Sequence, residues 1–263
     1  MQDASPDDYV LFEKRDDHVA LVTINRPQAR NAVNGAVARA LEAAVQATEA
    51  DESIWVVVLT GAGDQVFSAG ADLKEVSRGN VASLWTEAGG FAGFVHASRT
   101  KPWIAAVEGL ALAGGCEMAL ACDLIVASEG GAFGLPEVTR GLVASAGGLY
   151  RLPRVAPKAV ALDLILTGGR LSSERAAQLG MVSRLAPAGS ALQTALSMAQ
   201  EITRNAPLAV RESLAVATQA VELDEASLRR LSAEAQARLQ HTDDFHEGST
   251  AFVEKRPPIW KGR

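Results

Sequence analysis

Apolar and polar residues alternate through residues 18–25 (HVALVTIN), as they should on a strand with one buried face, and Arg26-Pro27 stops the run. Asn34 then stands ready to cap a segment in which Val37, Leu41, Ala44, Val45 and Thr48 recur at helical spacing. Residues 54–60 (IWVVVLT) form a short β-branched run that predicts a buried strand, and Gly61-Ala62-Gly63-Asp64 predicts the turn that closes it. Further strands are predicted at residues 103–107, 124–127 and 181–185, each separated by helical or glycine-rich material. Strand and helix in alternation imply an α/β architecture with largely parallel strands.

The texture changes after about Gly189. From there to His241 the chain is almost continuously helix-forming, with breaks at Asn205-Ala206-Pro207 and around Leu223-Asp224. The expected organisation is a strand-rich core, residues 1–188, followed by a helical region, residues 189–263. Amphipathic helices of this kind need a partner surface, and a neighbouring subunit is one that would serve.

Composition narrows the function classes. The chain has 263 residues, 48% hydrophobic and 21% charged, with a formal net charge of -6, so it offers no basic face to nucleic acid. An anionic substrate must therefore be held by local donors. The acidic opening MQDASPDDYV lacks both regions of a signal peptide. Glu108, Glu117 and Asp123 interrupt the richest apolar stretch, so no membrane span is expected and the protein reads as cytoplasmic. Cys116 and Cys122 lack a second Cys/His pair and read as structural thiols in a reducing compartment, with no metal site.

Three glycine-rich segments carry the candidate chemistry. The first, FSAGADLKE, spans residues 67–75; the second, GLALAGGCE, ends on Glu117; the third, AFGLPEVTRG, holds Glu137. Carboxylates in such apolar settings are costly unless paired, hydrogen-bonded or put to use. A helix starting near Gly114 would leave its first N–H groups free at the positive end of the helix dipole, with Glu117 one turn further on the same face. That spacing sets a donor for a developing oxyanion beside a carboxylate. Taken alone, Glu117 also fits an ordinary first-turn glutamate, and Glu137, directly after Pro136, a plain helix start.

Together the three segments resemble the enoyl-CoA hydratase (crotonase) family, over nearly the whole chain. The resemblance implies the crotonase (ClpP-like) fold, a spiral of β-β-α units closed by a C-terminal helical region and assembled as a homotrimer or homohexamer. It implies that the Ala71 and Gly114 amides form an oxyanion hole for a thioester carbonyl. It makes Glu117 and Glu137 the joint acid/base pair around one water, Glu117 as base and Glu137 as proton donor. Coenzyme A, which arrives as part of the substrate rather than as a cofactor, is placed against Ala29, Arg30, Ala71, Asp72, Leu73 and Lys74, with Lys74 as the cation for phosphate. AFVEKR, residues 251–256, also matches the family, and the resemblance implies that Phe252 and Lys255 complete a neighbour's site.

The chain also departs from the family pattern. Where hydratases commonly carry Pro-Gly-Ala-Gly-Gly-Thr after the second glutamate, residues 144–149 read ASAGGL, and the Ser145 N–H is expected to hold the water. Residues 81–100, with Trp85, Phe91 and Phe94, carry little family signature and are expected to shape the acyl pocket. The reading is an enoyl-CoA hydratase, a hydro-lyase acting on a 2-trans-enoyl-CoA. An isomerase of the same family and a non-catalytic acyl-CoA-binding protein stand as alternatives. A serine hydrolase has weak support, because GxSxG is absent and no histidine falls in a triad motif.

Overall fold

The computed structural model describes residues 9–263; residues 1–8, most of the acidic opening, lie outside them. Strand formation follows the β-branched runs. Strands β1 (Val10–Lys14), β2 (Val19–Ile24), β3 (Val56–Gly61) and β4 (Val66–Ser68) open the chain. They are followed by the short hairpin β5 (Trp85–Thr86) and β6 (Gly90–Phe91), then by β7 (Trp103–Val107) and β8 (Leu110–Leu112). The set ends with β9 (Leu124–Ser128), β10 (Ala132–Gly134), β11 (Arg170–Ser172) and β12 (Arg184–Ala186).

The pairing of these strands reveals the spiral. One sheet runs β1-β2-β3-β7-β9-β12 and a smaller one runs β11-β10-β8-β4. Each turn gives its first strand to the large sheet and its second to the small one, so β3/β4, β7/β8 and β9/β10 repeat one unit. The steps β2–β3, β3–β7, β7–β9 and β9–β12 are all parallel, as are β4–β8 and β8–β10. Parallel strands are buried on both faces, which is why Val56–Gly61 and Trp103–Val107 are buried throughout rather than alternating.

Helix α1 (Gly35–Ala50) starts where the sequence predicts. The Asn34 side chain accepts from the Val37 N–H at 2.9 Å, and Val37, Leu41, Ala44, Val45 and Thr48 are all buried. Its far end is closed by the buried Lys101, whose ammonium reaches the carbonyls of Thr48 and Asp51. After α2 (Leu73–Ser77) and α3 (Gly114–Ala121) come α4 (Gly148–Val155), α5 (Lys158–Thr167) and α6 (Ser173–Gln178). The expected strand at residues 181–185 is confined to Arg184–Ala186. Met181 and Val182 spend their N–H groups on the Ala176 carbonyl at the end of α6 and bury their side chains in a turn.

The helical region comprises α7 (Ala191–Thr203), α8 (Pro207–Ala217), α9 (Glu225–Leu239) and α10 (Asp243–Glu254), with the breaks near residues 205–207 and 223–224. Helix α7 packs Ala195, Met198 and Ala199 onto Val56, Val58, Ile104, Ala106 and Val126 of the large sheet. It thereby covers the sheet face turned away from the main core. Among the described residues no helix is long and apolar enough to cross a membrane.

Candidate active site

The first wall of the site comes from two loops zipped together. Arg30 and Asn31 take left-handed backbone angles, φ 54° and 53°. Asn31 is buried, and its side-chain amide donates to the carbonyls of Ala62 and Val66. The Ala69 N–H donates to the Arg30 carbonyl, Val33 N–H to Gly70, and Asp72 N–H to Val33, at 3.0, 2.8 and 2.8 Å. Because strand backbone alternates direction, the two bonds flanking Ala71 turn its own N–H away from Val33. Among the described residues that N–H has no protein acceptor.

Gly70, at φ 81°, lets this loop touch α3: a Cβ there would stand 2.5 Å from the Gly114 nitrogen. The Gly114 N–H opens α3 and is likewise without a protein acceptor. Just before it, Ala113 is held at φ 52° and ψ -129°, a costly conformation for a residue with a Cβ. The Ala113 N–H is pinned to the Gly134 carbonyl at 2.9 Å. Strain stored at that junction and two free amides on abutting segments are the features expected of a prebuilt oxyanion site.

Glu117 lies one turn into α3, 3% exposed, and its Oε1 accepts from the Gly148 N–H at 2.9 Å. Burial pushes its pKa up to about 7, against the pull of the Gly148 amide; the charge of Glu137 adds to the rise, and Arg151 opposes it. Glu137 sits in a 3-10 turn, Pro136–Arg140, which Gly141 closes in the left-handed region at φ 69°. It is half-buried, its Oε2 is enclosed without a hydrogen-bond partner among the described residues, and burial raises its pKa as well. Gly148 joins the two seats. Its N–H holds Glu117, and a Cβ on it would lie 2.8 Å from Leu135, the residue before the Glu137 turn.

One loop expectation is corrected. The Ser145 N–H donates to the Val143 carbonyl at 2.8 Å in a tight turn, so it is not free to hold a water. The amide presented to the carboxylate belongs to Gly148, within the surviving Gly147-Gly148 pair that was the only signal for it. The aromatic residues of 81–100 form a backing wall. Phe91 and Phe94 are buried, Trp85 meets Phe91 edge-on at 5.8 Å, and a Cβ on Gly114 would come within 2.4 Å of the Phe91 ring.

The residues placed against coenzyme A share one rim. Arg30 and Ala29 adjoin the zipped segment that leads into Leu73 and Lys74. Leu73 is 54% exposed, and the exposed Lys74 has no ion-pair partner among the described residues. The Asp72 carboxylate is already engaged, capping α2 through the Lys74 N–H at 3.0 Å and pairing with Arg26 at 3.1 Å. It contributes through backbone placement. Phe252, 86% exposed, and Lys255 stand at the end of α10.

The two-sheet spiral is the crotonase fold. The chain belongs to the Enoyl-CoA hydratase/isomerase family, whose sequence profile matches residues 14–263. It is 40% identical to 2,3-dehydroadipyl-CoA hydratase of Escherichia coli (strain K12), over 96% of this chain and 99% of that protein. It is also 40% identical to the mevalonyl-coenzyme A hydratase sidH of Aspergillus fumigatus, over 93% and 92%. Among solved structures, an enoyl-CoA hydratase from Mycobacterium tuberculosis superposes with a TM-score of 0.92 at 46% identity, covering 97% of this chain and 99% of that one. An enoyl-CoA hydratase from Mycobacterium marinum superposes equally well, at 48% identity and the same coverage.

Proposed function

We propose that the protein is an enoyl-CoA hydratase that adds water across the double bond of a 2-trans-enoyl-CoA to give the 3-hydroxyacyl-CoA. The observation that carries this reading is the pair of carboxylates drawn out of water: buried Glu117 fixed by the Gly148 amide, and half-buried Glu137 beside it with an oxygen unpartnered among the described residues. In the proposed reaction Glu117 takes a proton from water as the hydroxyl oxygen bonds to Cβ. The π electrons shift onto the thioester oxygen, which the Ala71 and Gly114 amides hold, each donor contributing about 3 kcal/mol in the transition state. Glu137 delivers its proton to Cα on the same face as the enolate collapses. Water is consumed and both carboxyl groups exchange one proton, which a later proton transfer between them or with solvent restores.

A base with a pKa of about 7 is well matched to neutral pH. The named relatives support the reaction type, since two of them are hydratases of coenzyme A thioesters with different acyl groups. For the pantetheine and phosphates we propose the rim formed by Ala29, Arg30, Leu73 and Lys74, with Asp72 holding that rim in shape. Exposed apolar side chains on α5 and α10, Leu166, Phe252 and Val253 among them, support a homo-oligomer as the working unit.

The test is a graded series of 2-trans-enoyl-CoA substrates, followed by loss of the conjugated thioester absorbance and by product mass. Hydration raises the mass by one water; isomerisation leaves it unchanged; saturable binding without conversion identifies a silent acyl-CoA-binding protein. Either of the last two results across the series refutes the proposal.

A further inference from the structure

Helix α4 carries a cation that faces inward. Arg151 sits one turn after Gly148, and its guanidinium forks between two carbonyls: Nη2 donates to Val95 at 2.6 Å and Nη1 to Ala146 at 3.1 Å. Its backbone N–H donates to the Gly147 carbonyl at 2.8 Å. Gly147 has a φ of 126°, and a Cβ there would stand 2.1 Å from Nη1, so the guanidinium fills the space a side chain would need. The arginine thus grips residues 146 and 147 immediately ahead of the amide that holds Glu117. Its second arm reaches the wall that carries Phe91, whose ring lies against Gly114.

We propose that Arg151 is a positioning residue for this site, clamping the loop that aims the Gly148 N–H at Glu117 to the segment that backs the oxyanion glycine. This rests on the hydratase reading above for its kinetic consequence, though not for its geometry. One side chain couples the two halves of the centre: the carboxylate and its donor on one side, Gly114 and its aromatic backing on the other. A planar fork is required, because the two carbonyls belong to segments about fifty residues apart and are met by two separate nitrogens.

Arg151 also acts through its charge. The charged groups bearing on Glu117 are Glu137 on the 3-10 turn and Arg151 on α4, while the neighbouring Cys116 thiol is itself pushed up by burial and by both carboxylates, and Arg140 bears on Glu137. Arg151 is the cation among those acting directly on Glu117, and it favours the ionised carboxylate that burial and Glu137 disfavour. Removing it should therefore make Glu117 hold its proton to higher pH.

The experiment compares Arg151→Gln and Arg151→Lys with the wild type in two readouts. The first is the infrared stretch of the protonated carboxyl group that disappears in Glu117→Gln, titrated against pH without substrate. In Arg151→Gln its midpoint should rise, and in Arg151→Lys, which keeps the charge, it should stay near the wild-type value. The second is kinetics on an enoyl-CoA: both variants should lose about 100-fold in kcat with KM little changed, because a displaced donor costs rate more than binding. A residue with only a structural role would lower the melting temperature and leave the midpoint where it is.

An unmoved midpoint in Arg151→Gln, or wild-type kcat in Arg151→Lys, overturns the proposal. Should Arg151→Gln fail to fold, the lysine variant alone decides it through kcat. A wild type that hydrates no enoyl-CoA overturns the hydratase reading instead, and the infrared titration still decides the role of Arg151.

Discussion

Glu117 and Glu137 occupy seats built on opposite plans. Glu117 rides on α3, a helix buried along its whole length, and its carboxylate is fixed by a backbone amide from another segment. Glu137 rides on a single 3-10 turn between Pro136 and Gly141, half-buried, with one enclosed oxygen that has no hydrogen-bond partner among the described residues. Both carry raised pKa values for the same reason, loss of water, yet one is fixed by an amide and the other keeps an oxygen unpartnered among the described residues. The contrast suits a division of labour in which the held carboxylate orients a water and the other delivers a proton to a carbon that moves during reaction.

Removing either carboxylate gives the largest expected effect: Glu117→Gln or Glu137→Gln should lower kcat by about two to four powers of ten. Steady-state rates on a turned-over enoyl-CoA check this, and a wild-type rate in either variant breaks the pairing. Shortening sharpens the comparison. Glu117→Asp pulls the carboxylate off the Gly148 amide, whereas Glu137→Asp can adjust, so the first should cost about tenfold more in kcat. Equal losses would erase the distinction between the two seats.

Next comes the helix start. Gly114→Ala drives a methyl group into the Phe91 ring and should cost about 100-fold in kcat through the displaced amide. The double variant with Phe91→Ala should recover part of that loss, since the obstructing ring is gone.

The pKa of Glu117 predicts a stability effect with a definite sign. Its folded value is about 7 against an ordinary 4.5, so the native state holds the proton more tightly than the unfolded chain does. The stability this contributes is full below pH 4.5 and is lost as pH rises through about 7. Glu117→Gln should therefore exceed the wild type in stability at pH 8, by about 3 kcal/mol, and lose that advantage in acid. Denaturant titrations at the two pH values measure it. For the catalysed rate, the same value predicts an acidic limb near pH 7.

The smallest effect belongs to the scaffold. Asn34→Ala removes the α1 cap and should cost about 1 kcal/mol of stability while leaving kcat unchanged, because its side-chain bond to Val37 lies outside the reacting groups. A changed kcat would mean that α1 is coupled to the site.

Much of this architecture is written in long, periodic runs. Helix α1 with its cap shows a helical repeat, and strands β3, β7 and β9, buried on both faces, show unbroken apolar runs long enough to recognise. The small sheet was not legible, because β4, β8, β10 and β11 have three residues each and leave no period to detect. They are set by close approach instead: a Cβ on Gly109 would fall 2.0 Å from the Gln65 carbonyl, so only glycine lets β4 and β8 begin together. Within the site, Glu117, Glu137 and Gly114 are legible because carboxylates and glycines are conspicuous in apolar surroundings, whereas Ala71 is reached only through the family resemblance. The amide that the 144–148 loop offers to Glu117 belongs to Gly148 and not to Ser145, since a tight turn at Val143 has no signature in residue type. Arg151 went unnoticed for the opposite reason: an arginine in a helix looks like a solvated one until its two carbonyl partners are seen.

The most direct test is a crystal structure with a saturated acyl-CoA, which can bind but has no double bond to hydrate. The account predicts the thioester oxygen within hydrogen-bond distance of both the Ala71 and Gly114 nitrogens, and one water touching Glu117 and Glu137 together. A thioester oxygen turned away from those amides, or carboxylates that share no water, would contradict it.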